Sequence, residues 1–361
     1  MKNIPWSSPD IGEEEKKAAK RVIDSGMLTR GKETEAFERD IEKYIGCKNA
    51  VVVNNGTSAL VTAMLANGIS PGDEVLVPTF TFVASVNAVL AVGAKPVLVD
   101  SDTETFNTTP ELMKKYLTKK TKAIIPVDVA GMPIDVDAFT EFAGKNNLIM
   151  IEDAAEAIGA QYKNNKIGSF KHTAIFSFHM AKLVTSIEGG CVVTPDNEVA
   201  RKCSMIHNHG MEKKYDHRYF GLNLRITDVQ SAIGRAQLIK INKYIKWRNK
   251  LAKIYNEELG ESVEYQKIPD YVNVHPHMIF GVLIGKRKRD YIIQYLKKNG
   301  VDTRVCWPPV HTQEYHRKIF NGAYPNSEHI ASRIINLPIG NMISEDDVNY
   351  VASTFKTALD N

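Results

Sequence analysis

Three short segments carry residue types that could do chemistry together, and each stands where a predicted strand ends. In the segment 54–58 (NNGTS), a glycine turn leads into a predicted helix, whose free N–H groups and positive end bind anions such as phosphate. Glu152 and Asp153 close an apolar strand with two carboxylates. Lys182 lies in a short loop between two apolar strands, where loss of solvent can release its proton and leave a nucleophilic amine.

Each segment alone also has an ordinary structural explanation. Thr57 or Ser58 can be no more than a helix N-cap, the carboxylates can be a solvated cluster, and Lys182 can be a surface lysine. Together, the three match what pyridoxal phosphate requires: an anchor for its phosphate, a carboxylate for its pyridinium nitrogen and a lysine that forms a Schiff base. The combination predicts a pyridoxal phosphate site.

The elements that must position these residues alternate along the first half of the chain. Predicted strands occupy residues 50–53, 74–78, 96–100, 123–127, 148–153, 174–178 and 189–194. Predicted helices lie near residues 57–68, 81–93, 109–118 and 135–146. Strands spaced by helices of this length indicate an α/β fold with a mostly parallel sheet covered on both faces. Such sheets bind ligands at the carboxyl ends of their strands, so we expect the three segments to converge.

The second part of the chain begins after a long helical run, predicted over residues 227–259. A new pattern follows, with predicted strands and helices at residues 277–285, 287–300, 301–307 and 344–359, in the order strand, helix, strand, helix. We therefore expect a large cofactor-binding domain over residues 1–245 and a smaller α+β domain over residues 246–361.

Composition limits the classes of function. The 361 residues are 43% hydrophobic and 24% charged, as in folded globular proteins. The net charge of +4 comes from basic residues spread along the chain, so no nucleic-acid-binding face is expected. We expect no membrane span, no export signal and no metal site, and hence a cytoplasmic protein. The segment 26–32 has phosphate-loop spacing, but Glu33 replaces the required hydroxyl residue.

At this point the sequence resembles a known family, the DegT/StrS pyridoxal-phosphate sugar aminotransferases. The resemblance runs over nearly the whole chain, through FERDIEKYIGCKNAVVVNNGTSAL, VPTFTFVASVNAV, IEDAAEAIGA, FSFHMAKLVTSIEGG, GLNLRITDVQSAIGRAQL and LPIG. It implies the aspartate aminotransferase type of fold, also called fold type I, with pyridoxal 5'-phosphate as cofactor and pyridoxamine 5'-phosphate between the two half-reactions.

The resemblance also implies roles for single residues. Lys182 would hold the cofactor aldehyde and move a proton between cofactor and substrate, and Asp153 would keep the ring nitrogen protonated. Glu156 would lie beside the phenolic oxygen, where many relatives have Gln or His, and Phe82 would stack on the ring. The implied phosphate cradle consists of Gly56, Thr57, Ser58, Ser177 and, from the partner subunit, Asn223. The implied sugar pocket includes His179, Arg225 and His311.

Two sub-patterns narrow the implied reaction. Relatives that aminate the third sugar carbon tend to read FYPxKNLGxxGDAG around the lysine, whereas this chain reads FSFHMAKLVTSIEGG, as relatives acting on the fourth carbon do. The chain most resembles GDP-perosamine synthases, and its motif around the lysine is also like that of UDP-sugar 4-aminotransferases.

The resemblance therefore implies a homodimer with shared active sites that transfers an amino group from L-glutamate to a nucleotide-linked 4-keto-6-deoxyhexose. The product would enter a surface glycan such as O-antigen. The alternatives are a sugar 3-aminotransferase, a dehydratase of the same family and a non-catalytic regulatory protein on the same fold. In the dehydratases histidine replaces the lysine, so Lys182 argues against that alternative.

Overall fold

The computed structural model describes residues 2–360, apart from the side chains at positions 286 and 287. The helices are α1 (Glu13–Ser25), α2 (Lys32–Ile45), α3 (Gly56–Ala66), α4 (Ala84–Ala91), α5 (Pro110–Lys114), α6 (Val136–Lys145), α7 (Asn197–Ile206), α8 (Asp228–Ile239), α9 (Ile241–Leu259), α10 (Lys286–Lys298), α11 (Pro325–Arg333) and α12 (Glu345–Asp360). The strands are β1 (Asn49–Val53), β2 (Glu74–Pro78), β3 (Lys95–Val99), β4 (Thr121–Ile124), β5 (Ile149–Asp153), β6 (Gln161–Tyr162), β7 (Asn165–Lys166), β8 (Thr173–Ser177), β9 (Gly190–Thr194), β10 (Met211–Lys213), β11 (Asp216–His217), β12 (Glu264–Tyr265), β13 (Val272–Val274), β14 (Phe280–Leu283) and β15 (Ile334–Leu337).

The central sheet has the strand order β1-β9-β8-β5-β4-β2-β3. Strand β9 is antiparallel to both of its neighbours, and the other pairings are parallel. Six of the seven strands therefore share one direction, and their carboxyl ends meet at one edge. The predicted α/β fold with a mostly parallel sheet is confirmed.

Both faces of this sheet are covered, as the residue pattern of its strands requires. In β1, Val52 packs in one hydrophobic cluster, whereas Val51 and Val53 pack in another. Leu76 in β2 belongs to the first cluster and its neighbours Val75 and Val77 to the second. Successive side chains of a strand point to opposite faces, so apolar residues in succession mean that helices cover both sides.

The helical run predicted over residues 227–259 is two helices, α8 and α9. α8 begins with a capping box in which the Thr227 hydroxyl accepts from the Gln230 N–H and the Gln230 side chain bonds back to the Thr227 backbone. Lys240 joins the two helices with φ −86° and ψ −8°. These angles stay close to helical values, so the periodic sequence pattern runs through a one-residue junction without a visible break.

Helix α9 connects two hydrophobic cores. Its residues up to Ile245 pack in a cluster with the central sheet, and from Leu251 onward they pack in a C-terminal cluster. The C-terminal cluster covers the antiparallel sheet β12-β14-β15 and includes Ile4 from the beginning of the chain. The predicted division between residues 245 and 246 falls inside α9 and stays a prediction. Within residues 2–360, no helix has both the length and the apolar composition needed to cross a membrane.

The strand predicted over residues 301–307 does not form, and this expectation was wrong. Val301 makes an isolated bridge to Ile4, and Arg304 makes another to Asn336. Because the two ends of the segment pair with different parts of the chain, no continuous ladder develops. The strand predicted over 277–285 is shorter, as β14. Before its start, His277 has a left-handed φ of 45°, which interrupts extended backbone.

Candidate active site

A cavity of about 1030 Å³ lies at the edge where the parallel strands end. Segments from the β1–α3 turn, the end of β5 and the β8–β9 loop all line it. The predicted site residues that line it are Gly56, Thr57, Ser58, Phe82, Asp153, Glu156, Ser177, His179 and Lys182. The fold thus brings together the three segments that stand far apart in the sequence.

Lys182 is held at this cavity by a carboxylate. Its Nζ donates to Glu156 Oε1 at 3.0 Å, and the two side chains are 15% and 8% exposed. The other oxygen of Glu156 accepts from the Ala130 N–H at 2.9 Å. Ala130 has a φ of 61°, a value that only a tightly constrained non-glycine residue adopts. Both oxygens of Glu156 therefore have partners, and the lysine amine has a fixed position.

Asp153 is a buried acid at the end of β5. Its Oδ2 accepts from the Ser85 hydroxyl at 2.6 Å, and its Oδ1 accepts from the Ala155 N–H at 3.2 Å. Burial raises the pKa of Asp153, while the two hydrogen bonds and the positive charge of Lys182 oppose that rise. A cation placed against this carboxylate would be stabilised strongly, because little water screens the interaction.

The turn into α3 has the form of an anion cradle. The Asn55 side chain caps the helix by accepting from the Ser58 N–H at 2.8 Å, whereas the N–H groups of Gly56 and Thr57 have no partner within residues 2–360. A Cβ atom on Gly56 would lie 3.0 Å from Ser177 Cβ, so a larger residue here would crowd Ser177. Free N–H groups, the helix start and two serine hydroxyls suit a phosphate.

Phe82 is 54% exposed, and its side chain forms part of the wall of the cavity. Its ring centroid lies 5.2 Å from that of Trp307, with the ring planes tilted by 56°. His179 also lines the cavity, with its Nε2 3.6 Å from the Glu188 carboxylate. An exposed ring beside a buried acid is a surface on which a flat ligand can stack.

Asn223 and Arg225 do not line the cavity of their own chain, although their neighbours do. Leu222 and Leu224 are part of the lining, whereas Asn223 between them is exposed and forms an isolated bridge with Asn208. Arg225 donates from Nη1 to the Asn208 side chain at 2.7 Å. The predicted roles of both residues remain predictions.

His311 is 9% exposed and lies outside the cavity lining. Its Nδ1 is 2.7 Å from the Thr79 hydroxyl and its Nε2 is 3.2 Å from Glu328 Oε1. Both ring nitrogens are thus engaged within the chain. Its predicted place in a sugar pocket stays a prediction, and the geometry gives it a structural contact with the end of β2.

Sequence reasoning missed several residues at the site. Ser85 bonds Asp153 from 68 residues away, and nothing in its own stretch, VPTFTFVASVNAV, pairs it with that acid. Arg304, Cys306 and Trp307 line the cavity from the segment that does not form its predicted strand. The N-terminal Trp6 lines it as well. One arginine and one tryptophan before Pro308 were the only signal for the 304–307 segment, and they form no motif.

The residues present fit pyridoxal phosphate on grounds of geometry and chemistry. A cradle of free N–H groups, in which a Cβ at Gly56 would crowd Ser177, suits the phosphate, and a buried carboxylate suits a ring cation. Pyridoxal-phosphate enzymes of fold type I have a sheet of this topology, with the cofactor site at the carboxyl ends of its parallel strands. The fold assigns the chain to that class.

The chain belongs to the DegT/DnrJ/EryC1/StrS aminotransferase family, whose model matches residues 9–356. The family resemblance seen in the sequence is confirmed. The enzyme is accordingly a pyridoxal-phosphate aminotransferase.

Solved structures support the same assignment over the full length. S. venezuelae DesV, solved in complex with a ketimine intermediate, is 33% identical with a TM-score of 0.96, and the match covers 100% of both chains. A putative sugar aminotransferase from Streptococcus pneumoniae, in its PMP form, is 28% identical with a TM-score of 0.95, over 99% of this chain and 98% of that one. Helicobacter pylori PseC, an aminotransferase involved in the biosynthesis of pseudoaminic acid, is 27% identical with a TM-score of 0.93, over 99% and 100%.

Proposed function

We propose that this protein transfers an amino group from L-glutamate to a nucleotide-linked 4-keto-6-deoxyhexose, as GDP-perosamine synthases do. The observation that carries the proposal is the meeting of Lys182, Asp153 and the residue 56–58 cradle at one cavity. The cavity of about 1030 Å³ has room for a cofactor and a sugar together. We place the reaction in the cytoplasm, where nucleotide sugars are made.

The chain's own residues take distinct parts in this proposal. Bound pyridoxal phosphate supplies an aldehyde that carries the amino group and a ring that accepts electrons. Lys182 holds the cofactor and moves a proton at its Nζ, and Glu156 orients that amine through the 3.0 Å contact. Asp153, fixed by Ser85, keeps a proton on the ring nitrogen through its negative charge. Phe82 offers its exposed face to the ring.

One observation favours amination at the fourth carbon, and a second favours a sugar substrate. The sequence FSFHMAKLVTSIEGG around Lys182 matches the pattern of sugar 4-aminotransferases. The structural neighbours from Streptococcus pneumoniae and Helicobacter pylori are named as a sugar aminotransferase and as an enzyme of pseudoaminic acid biosynthesis. Lys182 disfavours the dehydratase alternative, and Lys182, Asp153 and Phe82 together disfavour a non-catalytic protein.

We also propose that two copies of the chain share each active site. Phe220 and Leu222 are 72% and 41% exposed although they line the cavity, which leaves an apolar part of the wall uncovered. Asn223 stands in the same loop but does not line its own cavity, so it is free to reach a partner's phosphate. A symmetric dimer would use this contact twice and complete two equivalent sites.

The test is an assay of the cofactor-loaded protein with L-glutamate and a panel of GDP-, UDP- and dTDP-linked 4-keto-6-deoxysugars. We expect formation of an amino sugar with at least one of them and, by proton-coupling analysis, nitrogen on the fourth carbon. The Lys182→Ala protein is the control for uncatalysed amination. Nitrogen on the third carbon would select the 3-aminotransferase alternative, and no amination of any panel member would overturn the proposal.

A further inference from the structure

The cavity wall next to Phe82 comes from residues 304–307, which the proposed function leaves without a role. Arg304, Cys306 and Trp307 all line the cavity, and Trp307 contacts the Phe82 ring. The backbone of Arg304 is fixed to β15: its N–H donates to the Asn336 carbonyl at 3.2 Å and its carbonyl accepts from the Asn336 N–H at 2.8 Å. The Arg304 side chain therefore extends into the cavity from a backbone position that two hydrogen bonds fix.

The charges of the cavity lining favour a cation on the wall formed by residues 304–307. Three carboxylates line the cavity, those of Asp153, Glu156 and Glu188. Among the described lining residues the lysine and arginine side chains are those of Lys182 and Arg304. Lys182 is committed to the cofactor, and both proposed substrates carry further negative charge, as carboxylates or as a diphosphate. Of these two side chains, Arg304 is therefore the one left to offset that charge.

The guanidinium of Arg304 has a free edge. Its Nη1 donates to the carboxylate of Asp302 and to the Thr303 carbonyl, the latter at 3.0 Å. Its Nε and Nη2 have no partner within residues 2–360, and the side chain is 51% exposed. The Nε and Nη2 donors point the same way and match the two oxygens of a carboxylate or phosphate.

We propose that Arg304 binds an anionic oxygen group of the substrate through its Nε–Nη2 edge. The group is a carboxylate of the amino donor or the diphosphate of the nucleotide sugar, which present the same pair of oxygens. Asp302 holds the Nη1 end and so orients the guanidinium. This assignment rests on the proposed function, and it makes Arg304 a specificity-determining residue outside the catalytic set.

Equilibrium binding to the cofactor-loaded enzyme tests the assignment without turnover. Glutarate, a dicarboxylate with no amine to transfer, probes the donor group, and GDP, UDP and dTDP probe the diphosphate, all by isothermal titration calorimetry. We expect Arg304→Gln to weaken at least one class of probe about 10- to 100-fold, because a hydrogen-bonded charge pair is lost. Arg304→Lys should recover only part of the loss, because lysine keeps the charge and not the fork.

The matched control is Arg201→Gln. The Arg201 side chain is 44% exposed and bonds to two acidic side chains, so its exposure and its pairing with acids resemble those of Arg304. Arg201 does not line the cavity. Its variant should bind every probe as the wild type does. With the substrates themselves, Arg304→Gln should raise KM for the affected substrate and leave kcat at saturation nearly unchanged.

The titrations with glutarate and with the nucleoside diphosphates identify the group that Arg304 binds. If Arg304→Gln weakens glutarate binding alone, Arg304 binds the donor carboxylate. If the variant weakens nucleoside diphosphate binding alone, Arg304 binds the diphosphate of the sugar nucleotide. If both are weakened, Arg304 binds an anionic group in each half-reaction. Wild-type affinity of Arg304→Gln for all probes, or no measurable binding of any probe to the wild type, overturns the assignment. If the wild type aminates no 4-keto sugar while glutarate binding still depends on Arg304, the proposed function fails and the assignment to a dicarboxylate stands.

Discussion

The two sides of the active-site cavity are held in different ways. On the cofactor side, Asp153, Glu156 and Lys182 are 5%, 8% and 15% exposed, and each is hydrogen-bonded. On the outer side, Arg304 and Phe220 are 51% and 72% exposed. Groups that handle protons gain from a fixed, water-poor setting, because it costs no reorganisation during the reaction. Groups that recognise a substrate or a partner subunit can stay open until it arrives.

The same contrast appears in the supporting contacts. The side chain of Ser85 is buried and bonds Asp153 at 2.6 Å, so the acid is positioned by a second buried residue. Arg304 is oriented by Asp302, which is itself 41% exposed. Exposed ion pairs contribute little to stability, so the outer side can exchange its partner for a ligand at low cost. Variants on the cofactor side should therefore affect turnover, and variants on the outer side should affect binding.

The largest effect is expected from Lys182→Ala. Loss of the amine removes both the attachment of the cofactor and the proton transfer, so turnover should fall by about 10²- to 10⁴-fold or more. Cofactor binding without a covalent bond can persist, because the cradle at residues 56–58 is unchanged. Steady-state assays with L-glutamate measure the loss.

Lys171 supplies the control for that experiment. It is an exposed lysine on the chain segment just before β8, and it does not line the cavity. Lys171→Ala should keep wild-type turnover. Near wild-type turnover in Lys182→Ala would contradict the role given to the cofactor side, because the hydrogen-bonded amine of Lys182 would then have no part in the chemistry.

The second effect is expected from Asp153→Asn. Asparagine keeps the size and the contact with Ser85 but removes the charge that maintains the ring proton, so kcat should fall by about 10²-fold or more. Cofactor affinity should fall only modestly. Single-turnover kinetics with L-glutamate and a cofactor titration separate the two quantities.

Glu152→Gln is the matched control, since Glu152 is the neighbouring buried acid of β5. Its Oε2 lies 2.8 Å from His172 Nε2, and the residue does not line the cavity. We expect nearly full activity in this variant. An inactive Glu152→Gln beside a fully active Asp153→Asn would show that the wrong carboxylate has been assigned to the cofactor.

The residues that the sequence brought forward line the cavity mostly on the cofactor side, for a physical reason. Residues such as Gly56, Asp153 and Lys182 follow strands of one parallel sheet, and the sheet places strand ends together whatever the loops do. Arg304 and Trp307 reach the cavity from a segment without a strand ladder, held by pairing with Asn336. That contact is tertiary and leaves no periodic pattern. The bond from Ser85 to Asp153 escapes prediction in the same way.

The third prediction concerns the shared site and the loop that carries Asn223. A lost hydrogen bond to a phosphate should cost about 1.5–3 kcal/mol of cofactor affinity in Asn223→Ala, measured by cofactor titration. Asn223→Asp should have a larger effect, because it places a negative charge near the phosphate.

Mixing Lys182→Ala with Asn223→Asp tests whether the contact crosses between subunits. In a heterodimer, one site would then contain both lesions and the other site neither, so activity should return to a fraction of the wild-type value. Mixed dimers without any recovered activity, or full wild-type activity in a monomer, would rule out the shared site.

The last prediction concerns folding stability instead of turnover or binding, through one buried acid behind the cofactor side. Asp128 is fully buried; its Oδ1 accepts from the Ile134 N–H at 2.9 Å, and its Oδ2 has no partner within residues 2–360. Burial, followed by the negative charge of Glu152, raises the pKa of Asp128 well above its ordinary value. The folded chain therefore keeps this proton at pH values where the unfolded chain has released it.

The sign of the pH dependence follows from that difference. A raised pKa in the folded state contributes stability that is fully present below about pH 3.9 and declines as pH rises toward the folded value, by up to about 1.4 kcal/mol per pH unit. An asparagine side chain does not titrate, so the variant Asp128→Asn should gain stability relative to the wild type as pH rises from about 5 to about 8. Urea denaturation of the cofactor-free proteins across this range measures the gain. Asp137→Asn is the control, because Lys163 lowers the pKa of the exposed Asp137 and its titration lies below this range. Parallel pH profiles for wild type and Asp128→Asn would mean that Asp128 ionises as an ordinary carboxyl does, and the cofactor side would then be less well shielded from water than its burial indicates.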